Sequence, residues 1–345
     1  MVLFLSLAVG LWMLGGFLKA SARARWLMIG FLYAAILLLT VVLPISHPLR
    51  NALGGSFGEW AVLGGLVALV FGYTQVLGRV KRRAAPVVAK SEGLFQPGEL
   101  ERYARHVIMR EIGGLGQKKL KEAKVLVVGA GGLGSPSLLY LAAAGVGTIG
   151  VIDDDVVEDT NLQRQVIHSD GRIGMAKVFS AEIAMKAVNP YVTVKPYHRK
   201  FDAGIAADLV ADYDIVLDGT DNFDTRYLVN AACVAKGVPL VSAAITQWEG
   251  QISVFDPANG APCYACVFPE APAPGLVPSC AEAGVLGPLP GVMGSMMAVE
   301  CIKTITGAGE GLRGRMLIYD ALYAETRIIK VKRRADCQTC GKAGP

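Results

Sequence analysis

Residues 125–165 read VLVVGAGGLGSPSLLYLAAAGVGTIGVIDDDVVEDTNLQRQ, and several residues in and after this stretch could act on a phosphate. Gly129, Gly131, Gly132 and Gly134 keep side-chain bulk away from a strand-to-helix turn, so its main-chain N–H groups can approach an anion at the helix N-terminus. Asp153, with Asp155 beside it, follows about 20 residues further on, where an acid in such a unit binds ribose hydroxyls. Next come Thr160, Asn161, Leu162, Gln163, Arg164 and Gln165, and then Lys177. A guanidinium and an ammonium suit charge that builds on a phosphate under attack, whereas hydride transfer has no need of an arginine there. Asp221 and Asn222, in GTDNFDTR, close a later strand-like run, and a carboxylate there can hold a magnesium ion. Capping of the next helix by Thr220 or Asp221 is a compatible second duty. Taken singly, the glycines also fit a plain tight turn, and Arg164 and Lys177 fit surface charges.

The cysteines offer different chemistry. There are seven: Cys233, Cys263, Cys266, Cys280, Cys301, Cys337 and Cys340. An odd number in a long chain argues for a reducing compartment rather than a disulfide framework. Cys263-x-x-Cys266 and Cys337-x-x-Cys340 supply four thiolates, enough for a closed tetrahedral zinc site of structural role; a redox pair or free thiols are the alternatives. Cys280 follows the Pro-rich run PEAPAPGLVP. A loop of that kind suits a nucleophilic or sulfur-carrying cysteine, and a plain small residue fits equally well. Cys233 and Cys301 lie in apolar helical patterns and belong to a core.

The elements that must position these residues alternate. Residues 98–123 read as two helices broken at Gly113-Gly114. Strand-like runs KVLVVGA, TIGVID, VTVKPY, DIVLDGT, PLVSAAI and GQISVFD are interleaved with helical stretches at 135–144, 175–187, 204–211 and 222–236. This pattern predicts a doubly wound, Rossmann-like α/β fold with a mostly parallel sheet and a cysteine-bound region toward the C-terminus. No internal repeat is present.

The first eighty residues differ from the rest. The chain is 52% hydrophobic over 345 residues, and the excess sits at this end. Residues 2–18, 26–45 and 60–78 carry no charge, and a membrane-crossing helix needs roughly 20 apolar residues, with about 17 as the lower limit. The opening MVLFLSL lacks the basic n-region of a signal peptide. The expectation is a three-helix membrane anchor over 1–80, a basic linker over 81–97, and a catalytic domain over 98–345. Basic clusters at 19–25 and 79–83 place the loop after the first span, and the large domain, on the cytoplasmic side of the inner membrane, with the N-terminus outside. The net charge of +5 resides largely in such flanks, so no nucleic-acid partner is expected; residues 330–334 read as a solvated basic patch.

From Tyr103 to Cys340 the chain resembles the ThiF/MoeB/HesA family, bacterial relatives of ubiquitin-activating enzymes. The segments that carry the resemblance run in order: YARHVIMREIGGLGQKKL, GAGGLGSP, DDDVVEDTNLQRQVIHSD, IGMAK, DGTDNFDTRYLVN, EGQISVFD, CYACVFP and CAEAGVLGPLPGVMGS. The resemblance implies an adenylyltransferase that joins the C-terminal carboxylate of a small ubiquitin-like sulfur carrier ending in Gly-Gly to ATP at the α-phosphorus, releasing pyrophosphate. Such carriers serve molybdopterin or thiamine biosynthesis. By resemblance, Gly132, Asp153, residues 160–164, Lys177, Asp221 and Asn222 hold ATP and magnesium. Arg105 is the arginine lent to the partner site of a homodimer, the paired cysteines bind zinc, and Cys280 is the crossover-loop cysteine that is reactive in some members. No C-terminal rhodanese domain is expected after Cys340. An NAD-dependent oxidoreductase and a non-catalytic membrane scaffold are the competing readings; neither explains Arg164 and Asp221.

Overall fold

A computed structural model describes residues 2–18, 20–44, 46–84, 93–273 and 283–341. It divides into two compact units, Met1–Val87 and Val88–Pro345.

The first unit consists of helices α1 (Val2–Phe17), α2 (Ala22–Val42), α3 (Pro48–Leu53) and α4 (Phe57–Ala84). Ser21 caps α2 by accepting the Ala24 N–H at 3.3 Å. Ser56 and Glu59 form a reciprocal box at the start of α4: Ser56 Oγ accepts the Glu59 N–H, and Glu59 Oε2 accepts the Ser56 N–H. The small core gathers Ile36, Leu53 and Trp60, with Phe4 and Tyr33 against it. The Trp60 indole donates to Gly54 O at 2.9 Å and the Tyr33 hydroxyl donates to Trp60 O, so both polar tips are satisfied. Around this centre the helices present apolar side chains outward, among them Leu38, Val42, Leu66, Leu69 and Phe71.

Among the described residues, two helices are long and apolar enough to cross a membrane, at Ala24–Val42 and Phe57–Leu77. The first of the three expected spans corresponds to α1, whose apolar stretch Phe4–Phe17 is shorter. The 16 residues of α1 rise about 24 Å, short of the roughly 30 Å of hydrocarbon. The chain turns back after Phe17. There the Arg25 side chain lies 5.5 Å over the Trp12 ring and donates to Ala20 O, filling the space beside Gly15.

The second unit is built on one eight-stranded sheet: β1 (Lys124–Val128), β2 (Thr148–Ile152), β3 (Thr193–Tyr197), β4 (Ile215–Asp218), β5 (Leu240–Ile245), β6 (Glu249–Phe255), β7 (Arg315–Asp320) and β8 (Glu325–Lys330). Its order is β3-β2-β1-β4-β5-β6-β7-β8. The five strands from β3 to β5 are parallel; β6, β7 and β8 continue antiparallel. Successive β1 residues serve opposite cores, as the period-2 pleat requires. Val125 and Val127 pack with Leu138, Leu141, Met293 and Met297. Leu126 and Val128 pack with Val210, Val229 and Tyr264.

The helices that cover these faces are α5 (Glu99–Arg102), α6 (Ala104–Val107), α7 (Gly113–Glu122), α8 (Gly134–Ala144), α9 (Lys177–Val188), α10 (Ala206–Ala211), α11 (Phe223–Lys236), α12 (Tyr264–Val267) and α13 (Pro288–Thr306). The helix break expected at Gly113-Gly114 falls instead over residues 108–112, and α7 starts at Gly113 itself, whose φ of 59° is one that glycine adopts without strain. Cys233 and Cys301 are buried in the two cores, where burial pushes both thiols far up.

Candidate active site

β1 pairs with β2 on one side and β4 on the other, so the connections diverge between β1 and β4. In an open α/β sheet this switch point is where ligands bind. Glycine makes the junction possible. Gly129 has a φ of 93°, and a Cβ there would lie 3.2 Å from Gly219 O, after β4. A Cβ on Gly134 would stand 2.0 Å from Gly129 O. Gly134 is therefore a packing glycine that lets α8 start directly against the turn, whereas Gly129, Gly131 and Gly132 line the cleft above it.

That cleft measures about 870 Å³. Asp153, Asp155, Arg164, Lys177, Asp221 and Asn222 all line it. Residues spread over 94 positions of sequence thus meet at one end of the sheet. Asp153 also braces the turn: its carboxylate accepts the Ala130 N–H at 2.7 Å and the Asp155 N–H at 2.8 Å. Burial raises its pKa above the usual carboxylate value, while those two N–H groups and Lys177 oppose the rise. Ala130 is held from its other side by His168. Because a carbonyl only accepts, His168 Nε2 carries the hydrogen in its 2.9 Å contact with Ala130 O, and Nδ1 accepts from the Ser180 hydroxyl at 2.8 Å. Burial first, with the nearby Lys177 and Arg172 charges, lowers the His168 pKa to about 4 against the Ala130 hydrogen bond, which raises it. The ring is neutral at pH 7.

Lys177 is buried at the start of α9, with its ammonium 2.7 Å from the exposed Asp155 carboxylate. Arg164 is oriented by its own loop, donating to Thr160 O at 3.2 Å and Asn161 Oδ1 at 2.9 Å. Thr160, Asn161, Leu162 and Gln163 do not themselves line the cleft. Thr160 and Asn161 act on Arg164, and Gln163 packs against Gly287, just before α13. Asp221 is exposed at the cleft wall, without an ion pair among the described residues. The helix cap expected of Thr220 or Asp221 belongs to Asn222, whose Oδ1 accepts the Thr225 N–H at 2.9 Å.

Beneath Asp221 lies a network not evident in the sequence. Asp218, fully buried at the end of β4, accepts from the Thr220 N–H and hydroxyl, from Ser242 on β5 and from Arg226 on α11. Arg226 also donates to Ser242 Oγ and Thr220 O. The buried pair pins the turn that carries Asp221. The only local signal was an acid at the strand end and an arginine eight residues later; Ser242 comes from another strand.

The four paired cysteines meet elsewhere in this unit. Cys263 Sγ lies 3.8 Å from Cys266 Sγ and 3.6 Å from Cys337 Sγ, and Cys266 and Cys340 Sγ are 3.4 Å apart. All four are buried and their sulfurs lie within 4.8 Å of one another. Tetrahedral Zn–S bonds of about 2.3 Å place sulfurs roughly 3.8 Å apart, so the cluster fits a zinc ion. The basic patch expected at 330–334 is corrected in part: Arg333 donates to Cys340 O and the Arg334 N–H to Cys266 Sγ, so these residues brace the cluster. Arg105 is exposed on α6 and is not among the residues that line the cleft. Cys280 lies outside the described residues.

Sheet order and switch-point cleft place the chain in the class of Rossmann-like α/β proteins. It belongs to the ThiF family, whose pattern matches residues 103–339. It is 48% identical over 246 residues to the SAMP-activating enzyme E1 of Haloferax volcanii, covering 71% of this chain and 90% of that one. It is 49% identical over 247 residues to a sulfur carrier protein adenylyltransferase of Thermus thermophilus, covering 70% and 91%. With the adenylyltransferase/sulfurtransferase MoeZ of Mycobacterium tuberculosis it shares 51% identity over 251 residues, 72% of this chain and 64% of that protein. Among solved structures, E. coli MccB with ATP superimposes with a TM-score of 0.59 at 25% identity, covering 66% of this chain and 70% of that one.

Proposed function

We propose that this chain is an adenylyltransferase that activates the C-terminal glycine carboxylate of a small ubiquitin-like sulfur-carrier protein. The observation that carries the reading is the convergence of the glycine turn, Asp153, Arg164, Lys177 and Asp221 on one switch-point cleft, in a family whose named relatives are adenylyltransferases. The α8 N-terminus offers main-chain N–H groups to phosphate. Asp153 takes the ribose hydroxyls. The carrier carboxylate attacks the α-phosphorus, the bond to the bridging oxygen of the β-phosphate breaks, and pyrophosphate leaves. Arg164 and Lys177 stabilise the charge that passes to the leaving group. Asp221, a hard oxygen donor without an ion pair, would hold magnesium, which neutralises phosphate charge. The four cysteines would hold zinc in a structural role.

The support for a membrane anchor is α2 and α4, each apolar and with exposed flanks, bordered by basic residues at 19–25 and 79–83. Two spans put both basic borders on the cytoplasmic face of the inner membrane, with the catalytic unit there too. Arg105, exposed and outside its own cleft, suits donation to the cleft of a second copy in a homodimer.

Carrier-dependent exchange of labelled pyrophosphate into ATP tests the reading; absence of exchange with every Gly-Gly-ending carrier of the source cell would refute it. Mixing Arg105→Ala with Asp221→Ala protein tests the dimer. About a quarter of the wild-type rate is expected, because half the dimers are mixed and each holds one intact site. No recovery despite verified subunit exchange would show that Arg105 does not act across the interface.

A further inference from the structure

Arg105 makes no hydrogen bond or ion pair among the described residues. Its guanidinium lacks the brace that Arg164 receives from Thr160 and Asn161. What places it is the backbone of α6, which is four residues long, as is α5 before it. Helices of a single turn do not hold their own shape, because nucleation costs more than the few hydrogen bonds return. Their pose must come from the side chains on their inner face.

That face is polar. At spacing i, i+4 and i+7, Glu99, Tyr103 and His106 make contacts inward, while Glu101, Arg105 and Ile108 are exposed. Glu99 is fully buried and its carboxylate meets three donors: Lys121 Nζ at 2.6 Å, the Tyr103 hydroxyl at 3.2 Å and the Gln96 N–H at 2.9 Å. Lys121, on α7, also donates to Tyr191 O at 3.2 Å. The Tyr103 hydroxyl accepts from Asn189 Nδ2 at 2.8 Å, and the same amide donates to Ala142 O at 2.7 Å. The Tyr103 ring fills the space that Gly145 leaves open: a Cβ there would stand 2.3 Å from Tyr103 Cζ. His106 Nδ1 meets Gln117 Oε1 at 3.2 Å, and Gln117 Nε2 donates to Ala144 O at 2.8 Å. The two short helices are thus tied to the C-terminal ends of α8 and α9, whose first residues are Gly134 and Lys177 of the cleft side.

A buried ion pair seldom stabilises a fold more than apolar side chains of similar volume would. What a carboxylate held by three donors adds is a fixed position. We propose that Glu99, together with Tyr103 and Lys121, is a positioning residue for Arg105: it fixes α6 against the ends of α8 and α9, so that the arginine is presented to the cleft of a second copy. This rests on the reading of Arg105 as a residue that acts across a homodimer. Glu99 touches no substrate and acts only through α6.

The test uses full-length protein in detergent, magnesium–ATP, and the Gly-Gly-ending carrier that supports pyrophosphate exchange by the wild type. Glu99→Gln keeps the shape and removes the charge. Tyr103→Phe keeps the ring and removes the hydroxyl between Glu99 and Asn189. As a shift of about 1 Å at a reacting group can cost about 100-fold, exchange should fall about 100-fold in Glu99→Gln homodimers and about tenfold in Tyr103→Phe homodimers. Mixing decides the cause. Glu99→Gln keeps a sound cleft and offers a misplaced arginine, so it should behave as Arg105→Ala does. Equimolar with Asp221→Ala it should return about a quarter of the wild-type rate. Equimolar with Arg105→Ala it should return nothing beyond the parents. A merely structural fault would spoil its own cleft and reverse this pattern. The reversed pattern, equal rates in the two mixtures, or homodimer exchange within twofold of wild type for both variants overturns the proposal. Tyr103→Phe goes through the same mixtures and decides alone if Glu99→Gln does not fold; failure of both to fold also overturns it. If Arg105→Ala and Asp221→Ala do not complement each other, the reading of Arg105 itself fails, and that is seen before either new variant is made.

Discussion

The cleft at the carboxyl ends of β1 and β4 keeps its polar groups partly open, whereas the four-cysteine cluster seals its own. Asp155 and Asp221 face solvent, and Gln165 is buried without a partner. The cysteines are at most 6% exposed, and main-chain and arginine contacts close them in. A site that must admit, turn over and release a substrate keeps hydrogen-bonding capacity in reserve. A site that serves only the fold satisfies every group at once. Substitutions in the two regions should therefore fail differently, the first in activity and the second in stability.

The largest effect is expected at the closed site. Cys263→Ser should reduce bound zinc from about one per chain to background and lower stability by roughly 4 kcal/mol or more. Elemental analysis and urea unfolding measure both, and a metal-free variant of undiminished stability would remove the contrast between the two regions. Asp221→Ala at the open site should cut pyrophosphate exchange about 100- to 1000-fold while its unfolding midpoint stays put, because the side chain is exposed and makes no ion pair among the described residues. A fully active variant would overturn its assigned duty.

His168 stands between the two behaviours, a fully satisfied group that braces the open site. Its folded pKa, about 4, lies below the unfolded value of 6.5, so the unfolded chain binds more protons in that window. The stabilisation is complete above 6.5 and is lost as pH falls toward 4. From pH 7 to pH 5 this group should account for a loss of about 2 kcal/mol. Subtracting the unfolding profile of His168→Gln from that of the wild type isolates the contribution, and parallel profiles would reject it. The smallest effect is expected for Cys280→Ala: exchange should stay within about twofold of wild type, since forming an acyl-adenylate needs no thiol. An inactive, folded variant would place the cysteine earlier in the reaction.

What could be read from the sequence was what the chain states locally. Gly129 to Gly134, Asp153 and Lys177 announce themselves because strand, turn, helix and strand follow one another within about fifty residues, and spacing alone brings them together. The parallel order of β1 to β5 follows from the same alternation. The Asp218–Arg226–Ser242 network was not legible, because its members become neighbours only when β4, β5 and α11 pack. Gln165 was visible as a letter but not as an orphan, since lack of a partner is a property of the surroundings. The hairpin of β7 and β8 lacks the alternation of a half-buried strand: β8 is exposed along its length, so no apolar face marks it.

Cys263 and Cys337, like Cys266 and Cys340, are 74 residues apart in the chain. With zinc in place they tie the ends of a loop that includes α13, β7 and β8. In terms of chain statistics the ion is a cross-link, one that persists in the denatured ensemble for as long as the thiolates keep it. Closing a loop of that length removes conformational freedom worth roughly 4–5 kcal/mol from the unfolded chain. The metal-loaded denatured state is then more compact, and less new surface meets the denaturant. The urea m-value should accordingly be smaller with zinc than after chelation, even where the native folds are the same.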